Sequence, residues 1–189
     1  LRLQKLTALG INEIEVEIFP NRPDMLSEEG FARALSSFLG IKTGLKAYKV
    51  NKSNYKYKVD SKVKRIRPYC TAAIVKGLKF DKVSLAAIMN LQDKLHTTHG
   101  RNRKKVAMGV HDLSKIKFPL TYTTKPKSFK FRALEDKQEK TIQKILEEHP
   151  KGKDYAHLLN KSEVPIWMDA NNQVLSMPPI INSEETKVT

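Results

Sequence analysis

Val164-Pro165-Ile166-Trp167-Met168-Asp169-Ala170-Asn171-Asn172-Gln173-Val174-Leu175 sets two apolar runs on either side of Asp169-Ala170-Asn171-Asn172. Those four are turn-forming residues, so the stretch reads as a β-hairpin. Its second strand delivers Ser176 into Ser176-Met177-Pro178-Pro179-Ile180-Ile181-Asn182. Each proline fixes φ near about −65° and removes an amide donor, and Pro178 also pushes Met177 out of the helical region. Neither a helix nor a central strand tolerates that pair, yet Val174-Leu175 and Ile180-Ile181 are apolar enough to be buried. The result is a rigid kink with a hydroxyl on one side and a carboxamide on the other. Such a kink is either the floor of a binding site or a plain connector.

Working outward, the chain alternates helical and strand patterns. Glu13 to Phe19 alternates strictly, which predicts a strand with Ile14, Val16 and Ile18 facing a core. Pro20-Asn21-Arg22-Pro23-Asp24 stops it, and a helix capped by Ser27 follows, with Glu28 and Glu29 complementing its dipole. Phe31, Leu35, Phe38 and Leu39 form its predicted buried stripe, and Gly40 ends it. Tyr55 to Val59 and Tyr69 to Leu78 are strand candidates. A second helix is predicted from Ser84 to His96, with Leu85, Ile88, Leu91, Gln92 and Leu95 on one face and Gly100 closing it. Val106 to His111 reads as a strand whose Ala107, Gly109 and His111 share one face, leaving room for a ligand against the backbone. Lys115 to Leu134 holds strand-like pieces broken by Pro119 and Pro126. A third helix runs from Thr141 to Glu148 and stops before Pro150. The fold class is α+β, with mixed sheets and packed helices.

At 189 residues, 40% apolar and 29% charged, the chain is long enough to bury a sizeable core. No apolar run approaches a bilayer span. The single cysteine, Cys70, lies in an apolar run and reads as a small buried hydrophobe of a reduced intracellular protein. The net charge of +15 favours a polyanionic partner. From Lys42 to Arg67 there are ten Lys or Arg and one acid, Asp60, with Tyr48, Tyr55 and Tyr57 interleaved. That pattern suits nucleic-acid contact, and it equally suits a strand whose lysines face water. There is no phosphate-binding glycine loop, no nucleophile elbow, and no zinc-type spacing of Cys or His. His96 and His99 lie three apart at a helix end, which fits capping better than a metal site.

Four ordered segments bring these features together. They are Asn21 to Ser27 with Gly30-Phe31-Ala32-Arg33; Leu91 to His96 running into Gly100 to Ala107; Glu148 to Gly152 with Tyr155 to Leu158; and Val174 to Glu184. In order and spacing they resemble the phenylalanyl-tRNA synthetase beta subunit of the archaeal and eukaryotic-cytosolic type. The resemblance implies a short N-terminal module, here residues 1–19, followed by a single editing domain, residues 20–189. It implies hydrolysis of tyrosine wrongly esterified to phenylalanine tRNA. The chemistry has a clear need, because an apolar pocket for phenylalanine rejects an added hydroxyl only about a hundredfold. The competing readings are a catalytically silent RNA-binding or assembly module, and an unrelated nucleic-acid-binding protein of translation.

By position, the resemblance places Ser176 and Asn182 among the polar groups of the editing pocket and makes them the catalytic candidates. His111 is a looser third and a possible general base. Trp167, Met177 and Pro178 fall at substrate-lining positions, Trp167 where the family usually has an aliphatic residue. Arg101, Arg103 and Lys104 are expected to hold the RNA end. Ser176 has no base beside it in sequence, so it and Asn182 are expected to orient the ester and a water. The family continues past the position of Thr189 with an acidic residue that completes the pocket, and residues 3 to 13 look compressed against it. The partners implied are the 3′ end of phenylalanine tRNA and an alpha subunit within a heterotetramer, in the cytoplasm and away from membrane. Editing needs no metal or cofactor on this reading; ATP and magnesium serve only aminoacylation by the full enzyme.

Overall fold

The computed structural model describes the backbone of residues 6–8 and both backbone and side chains of residues 14–189. Among them the chain clusters into two compact units. One is built from the stretches up to Val50 and from Lys79 to Val106, the other from Asn51–Leu78 and Ala107–Thr189.

In the first unit, β1 (Leu6–Ala8) and β2 (Ile14–Val16) pair antiparallel, Leu6 opposite Val16. The strand predicted for Glu13–Phe19 is thus shorter, and Ile14 is 63% exposed because it lies in a two-stranded ribbon. Glu13 falls outside the described residues. Helix α1 (Glu28–Phe38) starts where its cap requires: the Ser27 hydroxyl accepts the Gly30 amide at 3.1 Å. Its buried face differs from the predicted one. Gly30 and Ala34, four apart, are buried, while Phe38 and Leu39 are largely exposed. A β-carbon on Gly30 would lie 2.0 Å from the Asp24 carbonyl, so only glycine lets the helix close onto the preceding turn. Helix α2 (Lys82–Thr97) begins two residues earlier than predicted, because Asp81 and Ser84 form a reciprocal capping box. Its half-buried stripe is the predicted Leu85, Ile88, Leu91, Gln92 and Leu95.

The second unit is built on a five-stranded mixed sheet. Its strands are β3 (Tyr57–Val59), β4 (Leu120–Pro126), β7 (Glu163–Met168), β8 (Val174–Met177) and β9 (Ile181–Asn182), in the order β3-β4-β7-β8-β9. Only the β3–β4 pair is parallel. The short strands β5 (Lys130–Phe131) and β6 (Lys140–Thr141) form a separate ribbon. It leads into α3 (Ile142–Glu148), whose cap is the Thr141 hydroxyl. Ile142, Ile145 and Leu146 of α3 form one core with Ile166, Met168, Met177 and Ile181 of the sheet. A fourth helix, α4 (Pro150–Tyr155), was not foreseen: Pro150 starts it at the first helical position, where the missing amide costs nothing.

Two predicted strands are absent. Tyr69–Leu78 and Val106–His111 take no strand pairing, and Tyr69 and Val75 stay exposed at 92% and 64%. Their apolar patterns find no partner strand, and Cys70 is only half-buried. The α+β class itself holds.

Candidate functional site

The hairpin around Asp169–Asn172 forms as read. The Asp169 carboxylate accepts the amides of Asn171 and Gln173 at 2.8 and 2.9 Å, and Asn172 takes a positive φ of 62°. The proline pair closes a second, tighter hairpin. The Pro178–Pro179 bond is cis, and the Ile180 amide donates to the Met177 carbonyl at 2.8 Å. This turn folds the chain back so that Ser176 and Asn182, six apart in sequence, become direct cross-strand partners on β8 and β9.

The same register extends across the sheet. Tyr122 on β4 lies opposite Trp167 on β7, and Trp167 opposite Ser176 on β8. Cross-strand partners share a face, so Tyr122, Trp167, Ser176 and Asn182 form one row. Stacking fixes the aromatic half of it. The Tyr122 and Trp167 rings stack with centroids 4.8 Å apart, and Tyr57 meets Trp167 edge-on at 5.4 Å. Burial pushes the Tyr122 phenol up to about 12, so it stays neutral and donates to the Arg67 carbonyl at 3.0 Å. Trp167 therefore fills its position as part of an aromatic wall beside Ser176. Met177 points the other way: it is fully buried in the core on the opposite face. Pro178 is half-buried in the turn.

His111 joins the polar end of the row. A β-carbon on Gly109 would lie 2.8 Å from both His111 Nε2 and Asn182 Oδ1. The face predicted to leave room for a ligand over Gly109 is thus occupied by these two side chains, and no larger residue fits there. The imidazole is largely buried, which pushes its pKa down to about 4 and leaves it neutral near pH 7. Its Nδ1 lies 2.8 Å from Thr186 Oγ1. Thr186 is fully buried, and nothing in the polar run Glu184-Glu185-Thr186-Lys187 announced it. No hydrogen bond joins the 7%-exposed Ser176 hydroxyl to a base among the described residues, so it lacks the partner a serine nucleophile needs. Nor does any group of three His, Cys, Asp or Glu among them suit a metal ion.

Arg101, Arg103 and Lys104 belong to the first unit, whereas the row lies in the second. Arg101, Asn102 and Arg103 follow α2 with φ of 51°, 52° and 64°, three successive left-handed residues without a glycine. Arg101 and Lys104 are exposed, but Arg103 is only 8% exposed and faces Asp93 at 3.7 Å. Within the second unit, Ser61, Lys62, Lys64, Arg65 and Glu163 line an open depression of about 430 Å³. No helix among the described residues is long and apolar enough to cross a membrane.

Comparison with known proteins gives the family and the fold. The family model of the B3/4 domain matches residues 51–189. The chain belongs to the B3/4 domain family. This B3/4 chain is 48% identical over 195 residues to the phenylalanine–tRNA ligase beta subunit of Archaeoglobus fulgidus, covering 99% of the chain and 36% of that protein. It is 49% identical over 167 residues to the beta subunit of Pyrococcus horikoshii, covering 88% and 30%. The chain thus spans about a third of the length of these relatives. Its fold matches the crystal structure of an N-terminal fragment of the Pyrococcus horikoshii phenylalanyl-tRNA synthetase beta subunit. The TM-score is 0.89 at 44% identity, over 99% of this chain and 55% of that one.

Proposed function

We propose that this B3/4 chain is the proofreading part of a phenylalanine–tRNA ligase beta subunit and hydrolyses the ester of tyrosine mischarged onto phenylalanine tRNA. One observation carries the reading: the Pro178–Pro179 turn makes Ser176 and Asn182 neighbours at the end of a row begun by stacked Tyr122 and Trp167. An aromatic wall beside a hydroxyl and a carboxamide suits a phenol-bearing aminoacyl group. Hydrogen-bonding groups discriminate hydroxyls far more strongly than an apolar pocket can. Ser176 and Asn182 would orient the ester and an attacking water, and Arg101 and Lys104 would contact RNA phosphates. Arg103, held against Asp93, would act on the turn and not on the RNA. The alpha subunit, the 3′ end of the tRNA and a cytoplasmic setting are parts of the same reading.

The test is deacylation of Tyr-tRNA(Phe) and Phe-tRNA(Phe) by the assembled enzyme. Rapid loss of the tyrosyl ester alone is expected, slowed at least about tenfold by Ser176→Ala or Asn182→Ala. Equal hydrolysis of both esters, or indifference to both substitutions, would overturn it. A second reading, a silent RNA-binding module, is favoured by Lys56, Lys58 and Lys62, which are exposed. It predicts RNA binding with no hydrolysis in the same assay.

A further inference from the structure

We propose that Thr186 is a positioning residue for this hydrolysis: its hydroxyl fixes His111 as the tautomer protonated on Nδ1 and leaves a bare Nε2 lone pair beside Asn182 to take the proton of the attacking water. The proposal rests on the deacylase reading and adds to it a residue and a proton route.

The Thr186 hydroxyl is completely buried and has two neighbours, the Leu175 carbonyl at 3.4 Å and His111 Nδ1 at 2.8 Å. We assign the single hydroxyl proton to the Leu175 carbonyl, which only accepts, although that contact is the longer of the two. On that assignment the short contact to the imidazole is filled by an Nδ1–H donor. A neutral imidazole carries one N–H, so Nε2 is left as an acceptor. Burial keeps the ring neutral across the ordinary working range.

The surroundings hold this chain of bonds in place. The Asp112 amide donates to the Thr186 carbonyl at 2.9 Å, so the two segments are tied by backbone as well as by side chain. The Ser183 amide donates to the Leu175 carbonyl at 2.8 Å, which fixes the far end. At the near end Gly109 lets Nε2 and the Asn182 carboxamide close over the same α-carbon. Asn182 in turn lies opposite Ser176. The lone pair is thereby fixed at the polar end of the row, which is the role of a residue that orients a base.

The step balances without a cofactor. A water oxygen bonds to the ester carbonyl carbon while its proton passes to Nε2. The tetrahedral species then collapses, the carbon–oxygen bond to the terminal ribose breaks, and the ribose oxygen recovers a proton from Nε2–H. The products are the free amino acid and a tRNA with its terminal hydroxyl restored.

The test joins a spectroscopic readout to a kinetic one. In ¹⁵N-histidine spectra near neutral pH, the His111 Nδ1 should be protonated and Nε2 not. Thr186→Val keeps the side-chain shape without the hydroxyl. It should shift the tautomer balance and lower kcat for Tyr-tRNA(Phe) about tenfold or more with little change in KM. Thr186→Ser, which keeps the hydroxyl, should restore both, separating loss of the hydroxyl from loss of fold. A wild-type Nε2–H imidazole would overturn the proposal, as would a Thr186→Val variant with unchanged tautomer and kcat. An Nδ1–H imidazole in a wild-type enzyme that hydrolyses neither ester would support the tautomer assignment and overturn the deacylase reading alone.

Discussion

His111 carries its imidazole largely out of water, and that burial pushes its pKa from 6.5 to about 4. The unfolded chain takes up a proton near pH 6.5, whereas the folded chain does not until about pH 4. Protons are therefore bound preferentially by the unfolded state between those values, and stability should fall as pH drops through that window and level off below it. The full effect is about 3 kcal/mol. Urea titrations across pH 4–7 should show this loss, and His111→Gln should flatten it. The nearby Asp112 carboxyl is held below 3.8 by its bonds with Ser114, so its own titration falls at lower pH. This residue shows what a sequence can and cannot reveal. The imidazole was legible as a candidate because it ends a run of small residues. Its neutral state was not, since burial depends on Thr186, seventy-five positions away. Trp167 is a different case: the resemblance alone put it at a lining position, while its register opposite Ser176 and its stacking with Tyr122 required the sheet.

At the scale of elements, what could be read was set by local hydrogen bonds. Ser27, Thr141 and the Asp169 turn name their helix starts and their hairpin because each donor and acceptor lies within a few positions. The strands proposed at Tyr69–Leu78 and Val106–His111 failed because alternation describes a face and says nothing of a partner. Pro150 misled in the other direction, since a proline that ends one helix can begin the next. The turn after α2 was not anticipated, because only Asn102 of Arg101-Asn102-Arg103 favours left-handed backbone, while both flanking arginines adopt it as well. Each such residue costs about 1–2 kcal/mol. The turn is held by backbone bonds from Asn102 to Thr97 and from Arg103 to His96 at 3.2 and 3.0 Å, and it closes on Gly100, where a β-carbon would lie 2.6 Å from the His96 and Val106 carbonyls. Arg101→Gly should therefore raise the unfolding free energy by roughly 0.5–1 kcal/mol, the relieved strain less the extra chain entropy of glycine. Equilibrium unfolding in urea measures it, and a loss of stability would contradict the account.

For the molecule as a whole, the +15 charge is the property most exposed to experiment. Each phosphate neutralised releases about 0.7–0.9 of a counterion, so RNA affinity should fall steeply as salt is raised. Replacing Lys56, Lys58 and Lys62 together by Ala should flatten the plot of log K against log salt by about 2–3 units if all three touch phosphates. Fluorescence anisotropy with labelled tRNA over a range of KCl reads this, and an unchanged slope would mean that these lysines face only water. The chain also passes three times between its two units, at residues 50–51, 78–79 and 106–107. That threading has a consequence for β3. Its Tyr57–Val59 backbone pairs with Leu120–Tyr122, so a stretch of some sixty residues lies between partners. The three residues of β3 are themselves exposed, and the segment is anchored just beyond them, where Val63 is fully buried and Asp60 accepts the Thr123 hydroxyl at 2.9 Å. As an edge strand with all three residues exposed, β3 opens at lower cost than the buried strands β7 and β8, and Tyr57 leaves the edge of Trp167 when it does. Of the wall beside Ser176, the Tyr57 side exchanges through small local openings, while the Tyr122 side, 1% exposed, is released only when the sheet itself comes apart.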